Sequence, residues 1–469
     1  MAFLIGGANT ESAAYQIDNS GLFNDGQSQA LTRTHGASGS TRTFTFSCWV
    51  KFSDPKTGSS ASDCCHGIFA SEEEAGHQFF ISTDEGQIFR IADYQDGSYN
   101  LHLQTNRKFR DHSAWYHFCI IFDTTDGTQG DRCKLFVNGV RETSFSTEVY
   151  PSQNTDLYGN DNQAHFIGRR GGSNTMYFDG YIADVNFIDG TAAAATEFGE
   201  TNDNGVWIPK KYGGSYGNNG FFLEFGNTGT GQGANKFASD TSGNGNHYDT
   251  NNFSGQYQMT DTPTNNFCTL NPLHKSTTDV VLSKGNTEVV SGYSSGWQHC
   301  AATMAVRNGK WYWEAKAETV SATDKTSIRV FQFDTTAVDF IGGTNTDRSA
   351  KGISGHGAGT GSYSYADDDI IMCGMDLDNN KVYWGKNGTW FGSLDPAAGS
   401  GSTTQTIDNS NFCVPAVGGY GGSIWQLNFG NPTFSISSGN TDANGYGNFE
   451  YSVPSGFFAL NTKNFAEYG

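Results

Sequence analysis

The chain reads TFTFSCWVK at residues 43–51, and aromatic or β-branched side chains recur there at alternate positions. Because successive side chains of a β-strand point to opposite faces of a sheet, this alternation predicts a strand that buries one face. Two other stretches have the same character: WYHF at 115–118 followed by KLFVNG at 134–139, and YFDGYIADV at 177–185. Together these stretches predict sheets built from aromatic and β-branched residues.

The dipeptide Asn138-Gly139 is the strongest local turn signal in the chain. It separates Leu135-Phe136-Val137 from Val140-Arg141-Glu142. A two-residue type I′ turn needs positive φ at both central positions, which Asn and Gly adopt more easily than other residues. We therefore predict a β-hairpin across this segment.

The composition favours an all-β protein with many loops. The 469 residues include 60 glycines, aromatic residues make up 14% of the chain, and charged residues only 16%. Long helical runs rich in Leu, Ala, Glu and Lys are missing, so we expect cores of Phe, Tyr and Trp. The one predicted helix is short, from Gly190 to Phe198. The length is sufficient for two or three domains.

The charge and the apolar content exclude several classes of function. The formal net charge is −20 and no basic cluster is present, so nucleic-acid binding is not expected. No apolar run is long enough to span a membrane, and the first residues lack the pattern of a signal peptide. The nine cysteines form no Cys-x-x-Cys pair, which predicts mostly reduced thiols in a protein assembled inside a cell.

Three regions of the chain differ in their patterns. Residues 1–200 alternate strand signals with turns of Gly, Asn, Asp and Ser, as two packed antiparallel sheets require. Residues 201–266 are rich in Gly, Asn and Ser, and we interpret them as an ordered connector that donates the strand 221–225 to a neighbouring sheet. Residues 267–469 form a second β unit.

The segments at 43–51, 115–139 and 177–185 resemble the concanavalin A-like, laminin-G-like lectin sandwich in their order and in their residue patterns. The second unit resembles a SPRY domain in the motifs GKWYWE at 309–314 and VYWGKNG at 382–388, followed by a later WQLNFG. These resemblances imply two antiparallel β-sandwich (jelly-roll) domains. The first, at 1–200, is concanavalin A-like, and the second, at 267–469, is SPRY-like with a C-terminal tail; the Gly/Asn-rich connector joins them.

The combination of both domains, with DTPTNNFCTLNP at 261–272 and PSGFFALNT at 454–462, is similar to virion proteins of marine tailed bacteriophages. This resemblance implies a virion component that is assembled in the cytoplasm of a bacterial host, with other capsid or tail proteins as partners. It also implies a homo-oligomer, for which we expect a trimer as in fibres and knobs.

No catalytic residues are predicted. Concanavalin A-like sandwiches also occur in glycoside hydrolases, which need two carboxylates about 5–9.5 Å apart. Side chains two residues apart share a face of a strand, so the usual sequence form of such a pair is Glu-x-Asp-x-Glu. This pattern is not present in residues 1–200.

Calcium is the candidate cofactor, because the lectin resemblance implies rim loops with carboxylate and backbone oxygens, the ligands that Ca²⁺ prefers. The alternative role of such aspartates is to stabilise loops as Asx turns. The candidate ligands are Asp123, Asp126, Asp131, Asp156 and Asp161.

Sugar binding needs exposed aromatic rings that stack on the apolar face of a sugar. For each candidate ring, core packing or a contact between subunits is the alternative. The candidates are Tyr94, Tyr99, Tyr150, Tyr158 and Tyr177.

From these observations we predict a structural virion protein that decorates the capsid or forms part of a tail, knob or fibre. It is expected to bind host-surface polysaccharide reversibly, with many weak sites acting together. Two alternatives stay open. One is an architectural cement protein that binds only other virion proteins, and the other is a glycan depolymerase.

Overall fold

The computed structural model describes residues 4–5, 15–56, 65–74, 76–171, 176–292, 298–320, 326–333, 351–354, 365–401, 407, 409–419 and 421–469. The chain divides into two compact units. The first unit is Glu11–Thr264, and the second comprises Asn265–Gly469 together with Met1–Thr10. Within the described ranges, no helix has the length and apolar content to cross a membrane.

Strands form nearly all of the regular structure, which confirms the all-β prediction. In chain order the strands are β1 (Leu4–Ile5), β2 (Ser20–Phe23), β3 (Ala30–Thr34), β4 (Thr43–Phe52), β5 (Gly67–Glu74), β6 (His77–Asp84), β7 (Ile88–Gln95), β8 (Ser98–Lys108), β9 (Tyr116–Asp123), β10 (Cys133–Val137), β11 (Val140–Arg141), β12 (Phe145–Val149), β13 (Ala164–Ile167), β14 (Gly180–Asp189), β15 (Gly199–Thr201), β16 (Trp207–Pro209), β17 (Phe221–Leu223), β18 (Asp249–Asn251), β19 (Gln258–Met259), β20 (Leu270–Lys275), β21 (Val281–Ser283), β22 (Glu288–Val290), β23 (Gln298–Ala302), β24 (Met304–Ala305), β25 (Lys310–Thr319), β26 (Thr326–Phe333), β27 (Lys351–Ser354), β28 (Ile370–Asp376), β29 (Lys381–Lys386), β30 (Thr389–Trp390), β31 (Phe412–Gly419), β32 (Ile424–Asn428) and β33 (Phe458–Ala459).

Helical structure is limited to short pieces in the described residues. One α-helix, α1, spans Thr462–Tyr468. Its N-cap is Asn461, whose side chain accepts a hydrogen bond from the backbone N–H of Asn464. The single-turn 3-10 helices are Asp25–Gln27, Gln129–Asp131, Tyr158–Asn160 and Ala195–Glu197.

The first unit contains two eight-stranded antiparallel sheets. The β4 sheet has the strand order β11-β10-β9-β4-β14-β2-β19, with β17 also paired to β14. The β6 sheet has the order β12-β8-β7-β6-β5-β13-β3-β18. A two-stranded ribbon of β15 and β16 completes the unit.

The alternation of residues 43–51 in β4 directs one set of side chains into a core between these two sheets. Phe44 of β4 stacks on Phe122 of the same sheet with ring centroids 4.4 Å apart. It also meets Phe79 of the β6 sheet edge-on, at 5.9 Å between centroids. Aromatic rings from both sheets therefore interlock, as a sandwich of two sheets requires.

The segment 201–264 belongs to the first unit and contributes strands to both sheets. β17, within the predicted strand 221–225, pairs with β14, β19 pairs with β2, and β18 extends the β6 sheet beside β3. Phe237 and Tyr248 from the same segment are fully buried in the core between the sheets. The predicted donation of a strand from 221–225 is therefore confirmed, and the rest of the segment interpreted as a connector also packs into the first unit.

The hairpin prediction at Asn138-Gly139 is confirmed. Asn138 has φ 48° and Gly139 has φ 75°, and Val137 pairs with Val140 across the turn. Both central residues have positive φ, as a type I′ turn requires.

Gly139→Ala is expected to lower the free energy of unfolding by at least about 2–3 kcal/mol. A Cβ at this position would lie 2.3 Å from ring carbons of Trp207, in addition to the strain of its positive φ. Gly97→Ala is the matched control, because Gly97 has φ 84° but nothing within 4 Å of its Cβ position. Chemical denaturation measures both variants, and equal losses would show that the contact with Trp207 contributes nothing.

The predicted helix at 190–198 is wrong. Gly190 has φ 80° and Ala194 is extended with ψ 149°, so only the 3-10 turn Ala195–Glu197 forms. The first turn of a helix fixes the backbone of several residues for a single hydrogen bond, so helix formation by a short alanine run is unfavourable. Packing of its side chains stabilises this segment instead. Ala193, Ala195 and Phe198 pack against the β4 sheet.

Most of the described cysteines are buried and reduced, as the sequence predicts. Cys65 is an exception, because its sulfur takes part in a disulfide bond, and Cys64 lies outside the described residues. Burial raises the pKa of Cys300 to about 12, so this thiol is a poor nucleophile. The cysteines that form no disulfide bond are Cys48, Cys119, Cys133, Cys268, Cys300, Cys373 and Cys413.

The second unit also has two main sheets. The β31 sheet has the order β20-β23-β31-β26-β27, and the β25 sheet has the order β21-β22-β32-β25-β28-β29-β30, with β33 parallel to β25. Trp311, Trp313 and Trp425 are fully buried in its core. A second type I′ turn at Asn387-Gly388, with φ 47° and 82°, joins β29 to β30.

Candidate functional site

The outer face of the β4 sheet is covered by the chain itself. Trp49 and Tyr181 lie on this face and pack with Ile17 and Met259. Further along, Ile121 and Ile188 pack with residues of 193–216. This face is therefore part of the folded interior of the unit.

The outer face of the β6 sheet carries polar and aromatic side chains that range from buried to exposed. Gln78, Phe80 and Ser82 alternate with the core residues Phe79 and Ile81 along β6, so they point away from the core. We define the arginine–aromatic face as the side chains that cluster around Phe80 on this surface: Phe80, Arg90, Tyr94, Tyr99, Phe166, Arg169, Arg170 and Tyr177.

Two of the predicted tyrosines form a pair on this face. Tyr94 and Tyr99 are direct partners across the β7–β8 hairpin, and their rings meet edge-on with centroids 4.9 Å apart. The Tyr99 ring also stacks on His102 at 4.3 Å, and its side chain remains 38% exposed. Burial lowers the pKa of His102 to about 4, so its ring is neutral at pH 7. The pair is thus held in place while it faces solvent.

Arginine side chains cover the ring of Phe80 at the centre of the face. The guanidinium carbon of Arg170 lies 3.7 Å from the centroid of Phe80, and that of Arg90 lies 4.9 Å away. Arg90 also donates to Tyr99 Oη at 2.8 Å and pairs with Asp84 at 2.9 Å. These contacts explain why Phe80 is fully buried on an outward-facing strand position.

The other three candidate tyrosines lie in different places. Tyr177 lies at the edge of the face, with the Arg169 guanidinium carbon 5.9 Å from its ring centroid. Tyr158 stacks on His77 at 5.1 Å, and Tyr150 donates to Glu148 at 2.9 Å. Both Tyr150 and Tyr158 pack against the inner core, which is the alternative role considered for them.

The arginines of the face were not predicted as functional residues. A signal for them does exist in the sequence, because Arg169-Arg170 lies between Phe166 and Tyr177 in a strongly acidic chain. What the sequence does not show is that Arg90, from a distant strand, reaches the same ring as Arg170.

The candidate calcium ligands already have protein partners. Asp156 forms a bidentate ion pair with Arg42 at 2.8 and 3.0 Å, and Asp131 forms an ion pair with Arg141 at 2.7 Å. Asp123 and Asp126 accept hydrogen bonds from residues two positions later in their own loops, the geometry of Asx turns.

Asp161, the remaining candidate, accepts hydrogen bonds from Ser38 and from the backbone of Asn162. Within the described ranges, no group of three or more His, Cys, Asp or Glu side chains is placed to hold a metal ion. Calcium ligands also include backbone oxygens, so calcium binding stays a prediction.

A cavity of about 190 Å³ lies elsewhere in the first unit, lined in part by Tyr15, Asp18, Asp184 and Glu224. Tyr15 Oη donates to Asp184 Oδ1 at 2.8 Å. Asp184 lies at an irregularity in the β14–β4 pairing, where its φ is 53°, and its side chain is 3% exposed. Burial raises the pKa of its carboxyl to about 7.

Asp184→Asn is expected to stabilise the first unit above pH 7 by about 2–4 kcal/mol. The folded carboxyl has a pKa of about 7 against an ordinary value of 3.8, so the folded state holds the proton more tightly. The resulting stability is complete below pH 3.8 and is lost as the pH rises through about 7, whereas asparagine does not titrate.

Denaturant unfolding between pH 4 and pH 8.5 measures this difference for Asp184→Asn. At pH 4 the variant and the wild type should be about equally stable. Asp203→Asn, at an exposed position, is the control and should leave the pH profile unchanged. A wild-type advantage for Asp184 at pH 8.5 would contradict the account.

The buried pair of Ser47 and His117 resembles a catalytic dyad, but the histidine carries its proton on the nitrogen that faces the serine. Ser47 Oγ lies 2.9 Å from His117 Nε2, and Trp207 Nε1 donates to His117 Nδ1 at 3.1 Å. Because an indole N–H only donates, Nδ1 must accept, and the neutral ring then carries its proton on Nε2. Burial lowers the pKa of His117 to about 3, so the ring is neutral and cannot take a proton from Ser47.

One carboxyl pair, Asp25 and Asp179, is too close for glycoside hydrolysis. The two side chains hydrogen bond directly to each other. Burial raises the pKa of Asp179 well above its ordinary value, and the nearby charge of Asp25 raises it further. Carboxyl oxygens that share a proton are about 2.5–2.7 Å apart. Glycosidase carboxylates are about 5–9.5 Å apart, with room for sugar or water between them.

A sequence profile described as "Concanavalin A-like lectin/glucanases superfamily" (Laminin_G_3) matches residues 24–197. No curated protein matches the chain. The profile covers all strands from β3 to β14, and thus the part of the β6 sheet that forms the arginine–aromatic face.

Two kinds of fold are among the solved structures similar to this chain. Of the first kind is the native heptameric SAP-like pentraxin from Limulus polyphemus, with 14% identity over 39% of this chain and 80% of that one, and a TM-score of 0.29. Domain 4 of AbnA, an extracellular arabinanase from Geobacillus stearothermophilus solved with arabinotriose, has 15% identity over 40% and 78% of the two chains, with a TM-score of 0.28.

The second kind is the SPRY domain. The SPRY domain of human HERC1 has 14% identity over 34% of this chain and 96% of that one, with a TM-score of 0.23. All these TM-scores lie below 0.5, so no ligand or activity is inferred from these similarities. The concanavalin A-like resemblance is thus supported over residues 24–197, and SPRY domains are among the structural neighbours of the chain.

Proposed function

We propose that the first unit binds polysaccharide on the arginine–aromatic face without cleaving it. The observation that carries this proposal is the contrast between the two outer faces. One is covered by the chain, whereas the other presents the Tyr94–Tyr99 pair to solvent beside polar side chains. Sugar sites combine aromatic rings with a few fixed hydrogen-bonding groups in this way.

The similarity of residues 24–197 to concanavalin A-like lectins and glucanases supports a carbohydrate ligand. Non-catalytic binding is favoured over hydrolysis by the geometry of two candidate sites. His117 is in the tautomer that cannot activate Ser47, and Asp25 and Asp179 lie in direct contact.

The setting of this activity is part of the proposal and rests on sequence resemblance. We place the chain on the virion of a tailed bacteriophage, as a capsid decoration, knob, tail or fibre component that forms a homo-oligomer, with a trimer as the expected state. Several weak sites on one particle then hold a host surface far more tightly than a single site.

Binding of the purified, labelled protein to host-cell polysaccharides tests this proposal. Saturable binding that one polysaccharide competes is expected, with no release of reducing ends during prolonged incubation. A folded oligomer that binds no polysaccharide would contradict the proposal and favour an architectural cement protein. Release of reducing ends would instead favour a depolymerase.

A further inference from the structure

Arg169 differs from the other two arginines of the face in its hydrogen bonding. Arg90 is paired with Asp84 at 2.9 Å, and Arg170 donates to Gln78 at 3.0 Å. Arg169 uses only its Nε, which donates to the backbone oxygen of Arg170 at 3.2 Å. Its two Nη groups donate to no other residue in the described part of the chain.

The guanidinium of Arg169 is nevertheless held in place. Its central carbon lies 4.2 Å from the centroid of the Phe166 ring and 5.9 Å from that of Tyr177. Together with the Nε hydrogen bond, these contacts fix the plane of the group before any ligand arrives. A pre-ordered side chain loses less entropy on binding, so its free donors favour a ligand more strongly.

The local charge also favours an anion. Among the described side chains near the face, Asp84 and Glu72 provide two carboxylates beside three guanidinium groups, in a chain whose formal net charge is −20. Glu72 accepts a hydrogen bond from Gln78 at 3.0 Å, and burial raises the pKa of its carboxyl. The described side chains of the face thus carry an excess of positive charge, whereas the chain as a whole is acidic and repels anions.

We propose that Arg169 selects glycans that carry an anionic substituent, a carboxylate or a sulfate. The planar fork of the Nη groups donates two parallel hydrogen bonds to such a group. The rings of Phe166 and Tyr177 beside it offer apolar surface to the sugar ring that bears the anion. This inference rests on the proposed function, because it names the class of sugar bound at the same face.

The test compares each acidic polysaccharide with its own neutral form. Alginate and polygalacturonate are used before and after reduction of their carboxyl groups, and a sulfated galactan before and after desulfation. The full-length protein and the variants Arg169→Gln and Arg169→Lys are titrated against each by calorimetry. Arg110→Gln is the matched control, since Arg110 is exposed and lies outside the face.

We expect at least one acidic form to bind at least about ten-fold more tightly than its neutral form, a difference of about 1.4 kcal/mol. Arg169→Gln should abolish that preference, Arg169→Lys should retain part of it, and Arg110→Gln should leave it unchanged. Whether the carboxylated or the sulfated pair shows the preference identifies the group. Equal binding of acidic and neutral forms would overturn this inference but leave the proposed function standing. If the folded protein bound none of these, nor any host-cell polysaccharide, both would fail.

Discussion

Asp261→Ala is expected to lower the free energy of unfolding of the first unit by about 3–5 kcal/mol. The Asp261 carboxylate lies 2.8 Å from Lys51 Nζ, and the two side chains are 0% and 1% exposed. Removing the carboxylate takes a counter-charge away from a buried ammonium, which costs far more than the loss of a surface ion pair. Denaturant unfolding of the variant measures the loss.

The position of Asp261 adds to this effect. Its Oδ1 accepts from Trp115 Nε1 at 3.0 Å, and its backbone oxygen accepts from Ser20 Oγ at 2.6 Å. The residue therefore ties the end of segment 201–264, next to β19, to strands from the start of the unit. Its loss should loosen the segment that completes the sandwich.

Two controls separate this account from a general sensitivity to mutation. Lys51→Met combined with Asp261→Leu replaces the pair with apolar groups of similar size and should restore most of the lost stability. Asp156→Ala removes the exposed pair with Arg42 and should cost far less stability than Asp261→Ala, because solvent screens surface ion pairs. A loss below about 1 kcal/mol for Asp261→Ala would contradict the account.

The double variant Tyr94→Ala/Tyr99→Ala is expected to weaken polysaccharide binding about 30-fold or more. Truncating a well-placed aromatic anchor typically costs about 1–2 kcal/mol of binding free energy. The two rings touch at 4.9 Å between centroids, so the loss in the double variant need not equal the sum of the single losses. Calorimetric titration with the polysaccharide identified for the wild type measures the change.

Val140→Ala is the control for this loss, because Val140 is 67% exposed on β11 of the other sheet. It should bind like the wild type. Circular dichroism and thermal unfolding should show that the double variant keeps its fold, since both tyrosines lie on the outer face. A folded double variant with unchanged affinity would exclude the arginine–aromatic face as the binding site.

The strands that could be predicted from sequence are those marked by alternating side chains or by turn residues at their ends. The alternation of residues 43–51 gives β4, and Asn138-Gly139 gives the turn between β10 and β11 with its two positive φ values. Alternation and turn chemistry depend on neighbouring residues only, so they are visible without a structure.

The segment 201–264 shows where such reasoning stops. Its strands are two or three residues long and gain stability from β14, β3 and β2, which are distant in sequence. Short strands of this kind give no periodic signal of their own. High Gly and Asn content suggests a connector, whereas in this chain it provides the turns between short paired strands.

The candidate site was partly predictable for a similar reason. Tyr94 and Tyr99 are close in sequence and form one hairpin, so both could be selected as candidate residues together. The arginines reach the face from β7 and from the segment after β13, and their stacking on Phe80 depends on the pairing of β5, β6 and β7. Only the folded sheet brings these groups together.

The most direct test of the central claim is a footprint of the bound polysaccharide on the full-length protein. Hydroxyl-radical labelling with and without the polysaccharide, read by mass spectrometry, reports which side chains the ligand covers. The account predicts protection of Tyr94, Tyr99, Phe166 and Tyr177, with unchanged labelling of Val140 and of the loops at 123–131 and 156–161. Protection of those loops or of the second unit, with the face still fully labelled, would contradict it.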